Sequence, residues 1–353
     1  MKTVDLSAHR VVSAKDVEAA VAAGATEVAL GARAIVTPTA RDLLLRHGCA
    51  VRDGGSGRAP VAPPGSTVAR LFSSPEAEAA KAEICAVGRK LWQRQYVDGN
   101  GGNISYRLAE NAVVCTPTLF SKADLRPEDL CLVDLEGNQL AGQRARTSEI
   151  LMHLEIYKAV PEAKGVVHCH PPHATAYAIT GRVPPTCVIP EYEVFVGNVG
   201  LTRYETPGTQ EFADAVLPFV RTHNTVLLAN HGIVCWADTV THAEWYAEVL
   251  DTYCWTLMLA SQLGAPITHI PEEKAADLLA IKRRLGLPDA RLDGSMKECQ
   301  LCDLPELPGA IALPPHERGS GGGSVDGHGD IVEAVTDAVM AAFAKASPGS
   351  IVG

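Results

Sequence analysis

Four short apolar runs set between amphipathic helical stretches constrain this chain most: VVCTP at 113–117, LCLVDL at 130–135, GVVHCH at 165–170 and TVLLANHG at 225–232. Each is bounded by Gly, Pro, Asp or Asn, the punctuation of strands. Strands that alternate with helices need a sheet whose faces the helices cover, which predicts an α/β fold. The body so defined begins near Pro75 with the helical stretch EAEAAKAEICAVGRKLWQRQ and runs to about Gly264. With 46% hydrophobic and 20% charged residues, the chain can bury a sizeable core.

Two appendages flank this body. Residues 12–23 read as a helix capped near Ser13, TEVAL as a strand, and 37–48 as a second helix with Pro38 in its first turn and Gly48 at its end. The Gly, Pro and Ser of 53–66 mark a linker. At the other end helical character persists to about Arg284, and LPELPGAIALPPHERGSGGGS reads as a tether. After it, 329–347 carries Ile331, Val335, Ala338, Val339, Ala342 and Phe343 on one helical stripe. The expected division is a small N-terminal α/β module at 1–52, a linker at 53–70, the main domain at 71–298, a CxxC segment and tether at 299–326, and a docking helix at 327–347.

Thirty-one basic and 41 acidic side chains leave a net charge of −10 with no Lys/Arg-rich block, which argues against nucleic acid or an anionic membrane as partner. No apolar run approaches the roughly 20 residues of a membrane span, and MKTVDLSAHRVV lacks the apolar core of a signal peptide, so a cytoplasmic location is expected. Ten scattered cysteines then read as buried, reduced thiols. Cys299 and Cys302 form a lone CxxC without a second pair to complete a thiolate site.

The densest chemistry lies in HCH. Alternate strand residues face the same way, so His168 and His170 share one face while Cys169 turns to the other. Two imidazoles so placed make two-thirds of a metal site, with zinc the usual partner; an isolated HxH is as often a hydrogen-bonded core histidine beside a surface one. His231 closes another apolar run just before Gly232 and meets the pair if the two strands are neighbours. Three histidines leave one position open for substrate, as a catalytic zinc needs. In RTSEILMHLEIYKAV, Thr147 and Ser148 precede a helix with Glu149 in its first turn. That pattern serves either as a helix cap with an acid at the positive helix end, or as an anion site with Glu149 aimed at the metal. The glycine-rich DGNGGNISYRL at 98–108 is a plain turn or a backbone approach to phosphate, with Asn103 and Ser105 as added donors.

Taken in order, GGNISYR, CTPTLFSKADLRPEDLCLVDLEG, TSEILMHLEIYKAVPEAKGVVHCHPPHATA and LLANHGIVCW followed by AEWYAEVLDTY resemble the class II aldolase/adducin family over about residues 75–262. The resemblance implies a three-layer domain with a central, mainly antiparallel sheet flanked by helices, and a homo-tetramer with active sites at subunit interfaces. It implies Zn2+ held by His168, His170 and His231, Glu149 as acid/base, and a phosphate site at Asn103, Thr118, Thr147 and Ser148, with Leu119 where fuculose-type aldolases have glycine. The implied reaction is aldol cleavage of a ketose 1-phosphate, of the L-fuculose or L-rhamnulose type, to dihydroxyacetone phosphate and lactaldehyde.

The catalytic tyrosine of fuculose-type enzymes has no clean match in CVIPEYEVFVGNVG, and no tyrosine follows Tyr253. A carboxylate serves near the metal in rhamnulose-type relatives, which makes Glu191 the candidate second acid/base. Rival readings are a ribulose-phosphate 4-epimerase, whose site resembles an aspartate-bearing one where this chain has Glu149, and a decarboxylase or dehydratase on the same zinc. A fourth is an adducin-like interaction protein, although adducins have lost the metal ligands and all three histidines are here. The helix at 327–347 is similar to encapsulation peptides, which implies shell proteins as partners and a bacterial microcompartment lumen as location. The N-terminal stretch is similar to segments fused to other microcompartment proteins.

Overall fold

The computed structural model describes residues 2–31, 34–53, 62–63 and 65–292. Cys299, Cys302, the tether and the helix expected at 327–347 lie outside the described residues. At the N-terminal end β1 (Thr3–Leu6), β2 (Val11–Val12), α1 (Ala14–Ala22), β3 (Glu27–Leu30), β4 (Ile35–Val36), α2 (Pro38–Arg46) and β5 (Ala50–Asp53) follow in turn. Strands β1, β3 and β5 form one parallel sheet and β2 pairs in parallel with β4. Thr3 faces Glu27 and Val11 faces Ile35, so the first two strand–strand–helix units stack with a common offset of 24 residues. Ser13 opens α1, its N–H and hydroxyl both donating to the Asp16 carboxylate at 2.8 Å. Val12, Val17, Val28, Leu30 and Leu44 fill a core of the module's own.

The larger body starts with α3 (Thr67–Phe72) and α4 (Pro75–Gln93), each opened by a serine hydroxyl that accepts a backbone N–H, Ser66 from Ala69 and Ser74 from Ala77. Then come β6 (Asn103–Ala109), β7 (Ala112–Cys115), β8 (Cys131–Val133), β9 (Gln139–Ala141), α5 (Ile150–Ala159), β10 (Gly165–Cys169), α6 (Pro172–Thr180) and α7 (Pro190–Phe195). They are followed by β11 (Gly200–Leu201), α8 (Gln210–Asp214), β12 (Thr225–Leu228), β13 (Gly232–Ala237), α9 (Val240–Gln262) and α10 (Glu272–Arg284). The sheet order is β11-β12-β13-β10-β6-β7-β8-β9, antiparallel throughout except for the β11–β12 pair.

Alternation along the strands sorts side chains to the two faces. In β10, Val167 and Cys169 join Ile84, Leu91, Leu250 and Cys254 of α4 and α9. Val166 joins Ile150, Leu154, Phe212 and Ala213 of α5 and α8 on the other face, so the domain has three layers. Covering both faces removes each strand valine from water, worth about 1.5–3 kcal/mol per side chain. His168, two residues on from Val166, points to the α5 side.

Beyond α9 the chain is held down by charge. Lys282 donates to Asp289 Oδ2 at 2.8 Å and to the Val196 carbonyl at 2.7 Å, while Arg291 grips both Asp289 oxygens at 2.7 and 2.8 Å and pairs with Glu193 of α7. All four side chains are buried. Gly197, at φ +66°, passes so close that a Cβ would lie 2.5 Å from Asp289 Oδ2.

Candidate active site

The three histidines expected to act together do meet. His168 is the last residue but one of β10, in the middle of the sheet, His170 follows just beyond the strand, and His231 lies in the turn between β12 and β13; their ligand atoms all fall within 4.8 Å of one another. The meeting is made differently from the expected one, in which β10 and the strand ending at His231 are neighbours. The apolar run after Gly232 is itself a strand, β13, which forms a hairpin with β12 and lies between it and β10. Asn230 takes a left-handed conformation, φ +54°, to make that turn. Gly232 is needed beside it, because a Cβ there would meet the Cys169 carbonyl at 2.5 Å and the His170 ring at 2.6 Å.

Hydrogen bonding sets the tautomer of the central ligand. His168 Nδ1 stands 2.8 Å from the Ile233 carbonyl, which only accepts, so Nδ1 carries the proton and Nε2 offers a lone pair to the cluster. His170 Nε2 is 3.1 Å from that same Nε2. Burial, with the fields of its neighbours added, holds His168 well below the usual histidine range; burial pushes His170 down to about 4 and lowers His231 against the pull of Glu149. Three neutral imidazoles with converging lone pairs fit a divalent cation, the donor set of a catalytic site with one position left open.

Glu149 stands at the N-cap of α5 rather than in its first turn, and its side chain does not cap the helix. Instead the carboxylate lies 3.2 Å from His168 Nε2 and 3.8 Å from His231 Nε2, and accepts from Asn103 Nδ2 at 2.8 Å. Asn103 faces His168 across the β6–β10 ladder. Its Nδ2 thus orients Glu149, while its Oδ1 is buried and without a partner among the described residues. One turn along α5, buried His153 meets Ser105 Oγ at 2.7 Å, and burial pushes it down to about 3.

The remaining residues expected at a phosphate are brought side by side by backbone pairing. Thr118 N–H donates to the Ala145 carbonyl and Thr147 N–H to the Thr116 carbonyl, both at 3.0 Å, so 116–118 runs against 145–147. Ser148 follows, with Gly208 beside it. Leu119, next to Thr118, has φ +52° and is 50% exposed.

Glu191 is not among these groups. It is exposed in the first turn of α7 and makes no hydrogen bond or ion pair among the described residues. Its neighbour Tyr192 is buried, stacked 3.8 Å from the Tyr253 ring, and so is in no position to serve as an exposed catalytic tyrosine. One charged residue goes unnoticed in the sequence: Lys122, 1% exposed, whose Nζ donates to the carbonyls of Asn100 and Phe120. Nothing in SKADL marks a lysine that the fold will bury.

Residues 82–258 match the Class II Aldolase and Adducin N-terminal domain. The chain belongs to this family. Within it the chain is 34% identical over 204 residues to the 3-oxo-tetronate 4-phosphate decarboxylase of Haemophilus influenzae, covering 57% of this chain and 96% of that one. It is 36% identical over 169 residues to the L-fuculose phosphate aldolase of Methanococcus vannielii, covering 48% and 90%. A solved L-fuculose 1-phosphate aldolase superposes with a TM-score of 0.54 at 26% identity, covering 59% and 96%. This class II aldolase-family chain is therefore a metal-dependent enzyme, with a three-histidine site of the kind such enzymes carry. No helix among the described residues is long and apolar enough to cross a membrane, and the eight cysteines among them are buried and form no disulfide.

Proposed function

We propose that this enzyme cleaves a ketose 1-phosphate of the L-fuculose or L-rhamnulose type to dihydroxyacetone phosphate and lactaldehyde, with Zn2+ on His168, His170 and His231. The observation that carries the reading is the Glu149 carboxylate, held by Asn103 within 3.2 Å of His168 Nε2 and aimed at the point where the three imidazoles converge. Donors on a tetrahedral zinc lie about 3.3 Å apart, which the 3.1 Å between His168 and His170 approaches. A metal bound there supplies Lewis-acid pull on the substrate carbonyl. Glu149, having taken up a proton from solvent, passes it to the carbon left with the electron pair when the bond breaks. Asn103 keeps that carboxylate turned toward the metal rather than toward its helix. Thr118, Thr147 and Ser148, with the loop leading into Asn103, receive the phosphate, and Glu191, exposed on α7, suits proton transfer from the leaving aldehyde's hydroxyl at a subunit boundary. Trp255, Met258, Leu259 and Leu263 leave an exposed apolar stripe on α9, which supports a homo-oligomer, the tetramer of the family reading.

Decarboxylation is the second reading, favoured by the 34% identity to a 3-oxo-tetronate 4-phosphate decarboxylase. Loss of CO2 from a 3-oxo acid also leaves an electron pair beside a carbonyl, so the same carboxylate does the same work. The two are separated by incubating the zinc-loaded enzyme with L-fuculose 1-phosphate, L-rhamnulose 1-phosphate and a 3-oxo-tetronate 4-phosphate, following dihydroxyacetone phosphate in one arm and CO2 in the other. Turnover of the 3-oxo acid alone overturns the aldolase reading. Attachment to microcompartment shell proteins through 327–347 belongs to the same proposal, resting on the apolar stripe of that segment. Diffuse fluorescence from a fusion of 327–347 to a fluorescent protein, expressed with a shell, overturns it.

A further inference from the structure

Lys122 opens a single helical turn, Lys122–Asp124, packed against α4. The packing leaves no slack: a Cβ on Gly88 of α4 would lie 2.8 Å from the Lys122 carbonyl and 3.2 Å from Leu125. Its ammonium donates to Asn100 O at 2.9 Å and Phe120 O at 2.7 Å, and among the described residues no carboxylate pairs with it. An isolated buried charge is costly, and a neutral side chain would fill the same space more cheaply. Burial pushes this amine down to about 8, opposed by the field of Glu149, and its own field reaches His170.

The two carbonyls it holds belong to the two loops of the candidate phosphate site. Asn100 lies in the glycine turn that runs into Asn103, and Phe120 follows Thr118 and Leu119. One ammonium therefore joins both loops. Charge points the same way: a divalent metal, three neutral imidazoles, Glu149 and Lys122 together carry a net charge of about +2, opposite to a phosphomonoester dianion, whereas without Lys122 they fall one charge short.

We infer that Lys122 is a positioning residue for the anionic end of the substrate, tying the 98–103 and 116–121 loops into one cradle and placing a fixed positive charge behind it. This rests on the sugar-phosphate reading and names the residue that makes the site selective for a phosphomonoester dianion over an uncharged ketose. The neutral side chain of Lys122→Gln can still donate N–H groups to the two carbonyls, and Lys122→Arg keeps the charge. Calorimetric titration of the zinc-loaded proteins with inorganic phosphate should show affinity reduced tenfold or more in Lys122→Gln and within threefold of wild type in Lys122→Arg, with metal content unchanged in both. For the ketose phosphate, KM should rise tenfold or more in the Gln variant with kcat within threefold. Phosphate affinity unchanged in Lys122→Gln means that Lys122 is only a strut, and equal losses in both variants mean that loop geometry rather than charge is at work; either result overturns the inference. If Lys122→Gln does not fold, a tenfold loss in Lys122→Arg is sufficient to overturn it. Because phosphate binding is read without turnover, failure of every ketose phosphate as substrate would sink the aldolase reading while leaving this result standing.

Discussion

Of the three lysines buried among the described residues, the two least exposed are treated in opposite ways. Lys282, between α10 and α7, is neutralised on the spot by Asp289 within a four-residue network that also joins Arg291 to Glu193. Lys122, whose field reaches His170, has only carbonyls for partners among the described residues. Charges that hold a fold together are matched within the chain, because an unmatched one destabilises it. A charge left unmatched beside a triad of metal-binding groups keeps its field for something that arrives from outside.

The comparison predicts that damage at one end is read as lost chemistry and at the other as lost stability. Largest is His231→Ala: metal content by plasma emission should fall below about a tenth of an equivalent, with turnover lost, while the urea midpoint of the metal-free protein stays near wild type. Full metal occupancy in that variant would remove His231 from the site. Next is Asp289→Ala, which strands Lys282 and Arg291 with one carboxylate between them. Stability should drop by about 3–5 kcal/mol in denaturant unfolding, and activity per folded molecule should be unchanged. A loss below about 1 kcal/mol would mean that the network behaves like a surface pair and that the contrast with Lys122 is empty.

Glu149→Gln comes third. It keeps the shape of the carboxylate and its contact with Asn103 but removes the exchangeable charge, so kcat should fall on the order of 100-fold, about 2.7 kcal/mol, with zinc retained. Activity within about twofold of wild type would return Glu149 to the role of a helix-end charge. Smallest is an acid effect on the metal-free protein. His170 and His153 are held at about 4 and about 3, below an ordinary 6.5. The unfolded chain therefore binds protons that the folded one refuses, and the stability they contribute is complete above pH 6.5 and is lost as pH falls toward 4 and then 3. Urea midpoints should be lower at pH 5 than at pH 7. Asp289 is held well below the usual carboxylate range by Arg291 and Lys282 against the opposing effect of burial, so amide exchange at pH 5 should open the β10 side of α5 before the α7–α10 contact. The reverse order would break the comparison.

Much of the site was legible because strand periodicity is so restrictive: HCH had to place His168 and His170 on one face, and Cys169 duly joins the α4–α9 core. The helix start at Thr147 to Glu149 was legible as a motif, yet not the choice between capping a helix and facing the histidines, which depends on Asn103 reaching across from β6. The hairpin holding His231 was hidden because TVLLANHGIVCW is apolar on both sides of its turn, and only Asn230 and Gly232 betray it. Glu191 and Glu193 look alike in PEYEVF; which one is buried depends on Arg291, nearly a hundred residues away. Lys122 was illegible for the same reason, since lysine is the residue least expected in a core.

Leu119 shows how a bulky residue beside Thr118 can be trimmed at little cost to the fold. A leucine at φ +52° costs about 1–2 kcal/mol relative to a residue at ease there. Replacing it with glycine removes a bulky side chain beside Thr118 and releases strain in the same step. A smaller side chain next to Thr118 is therefore reached without weakening the scaffold.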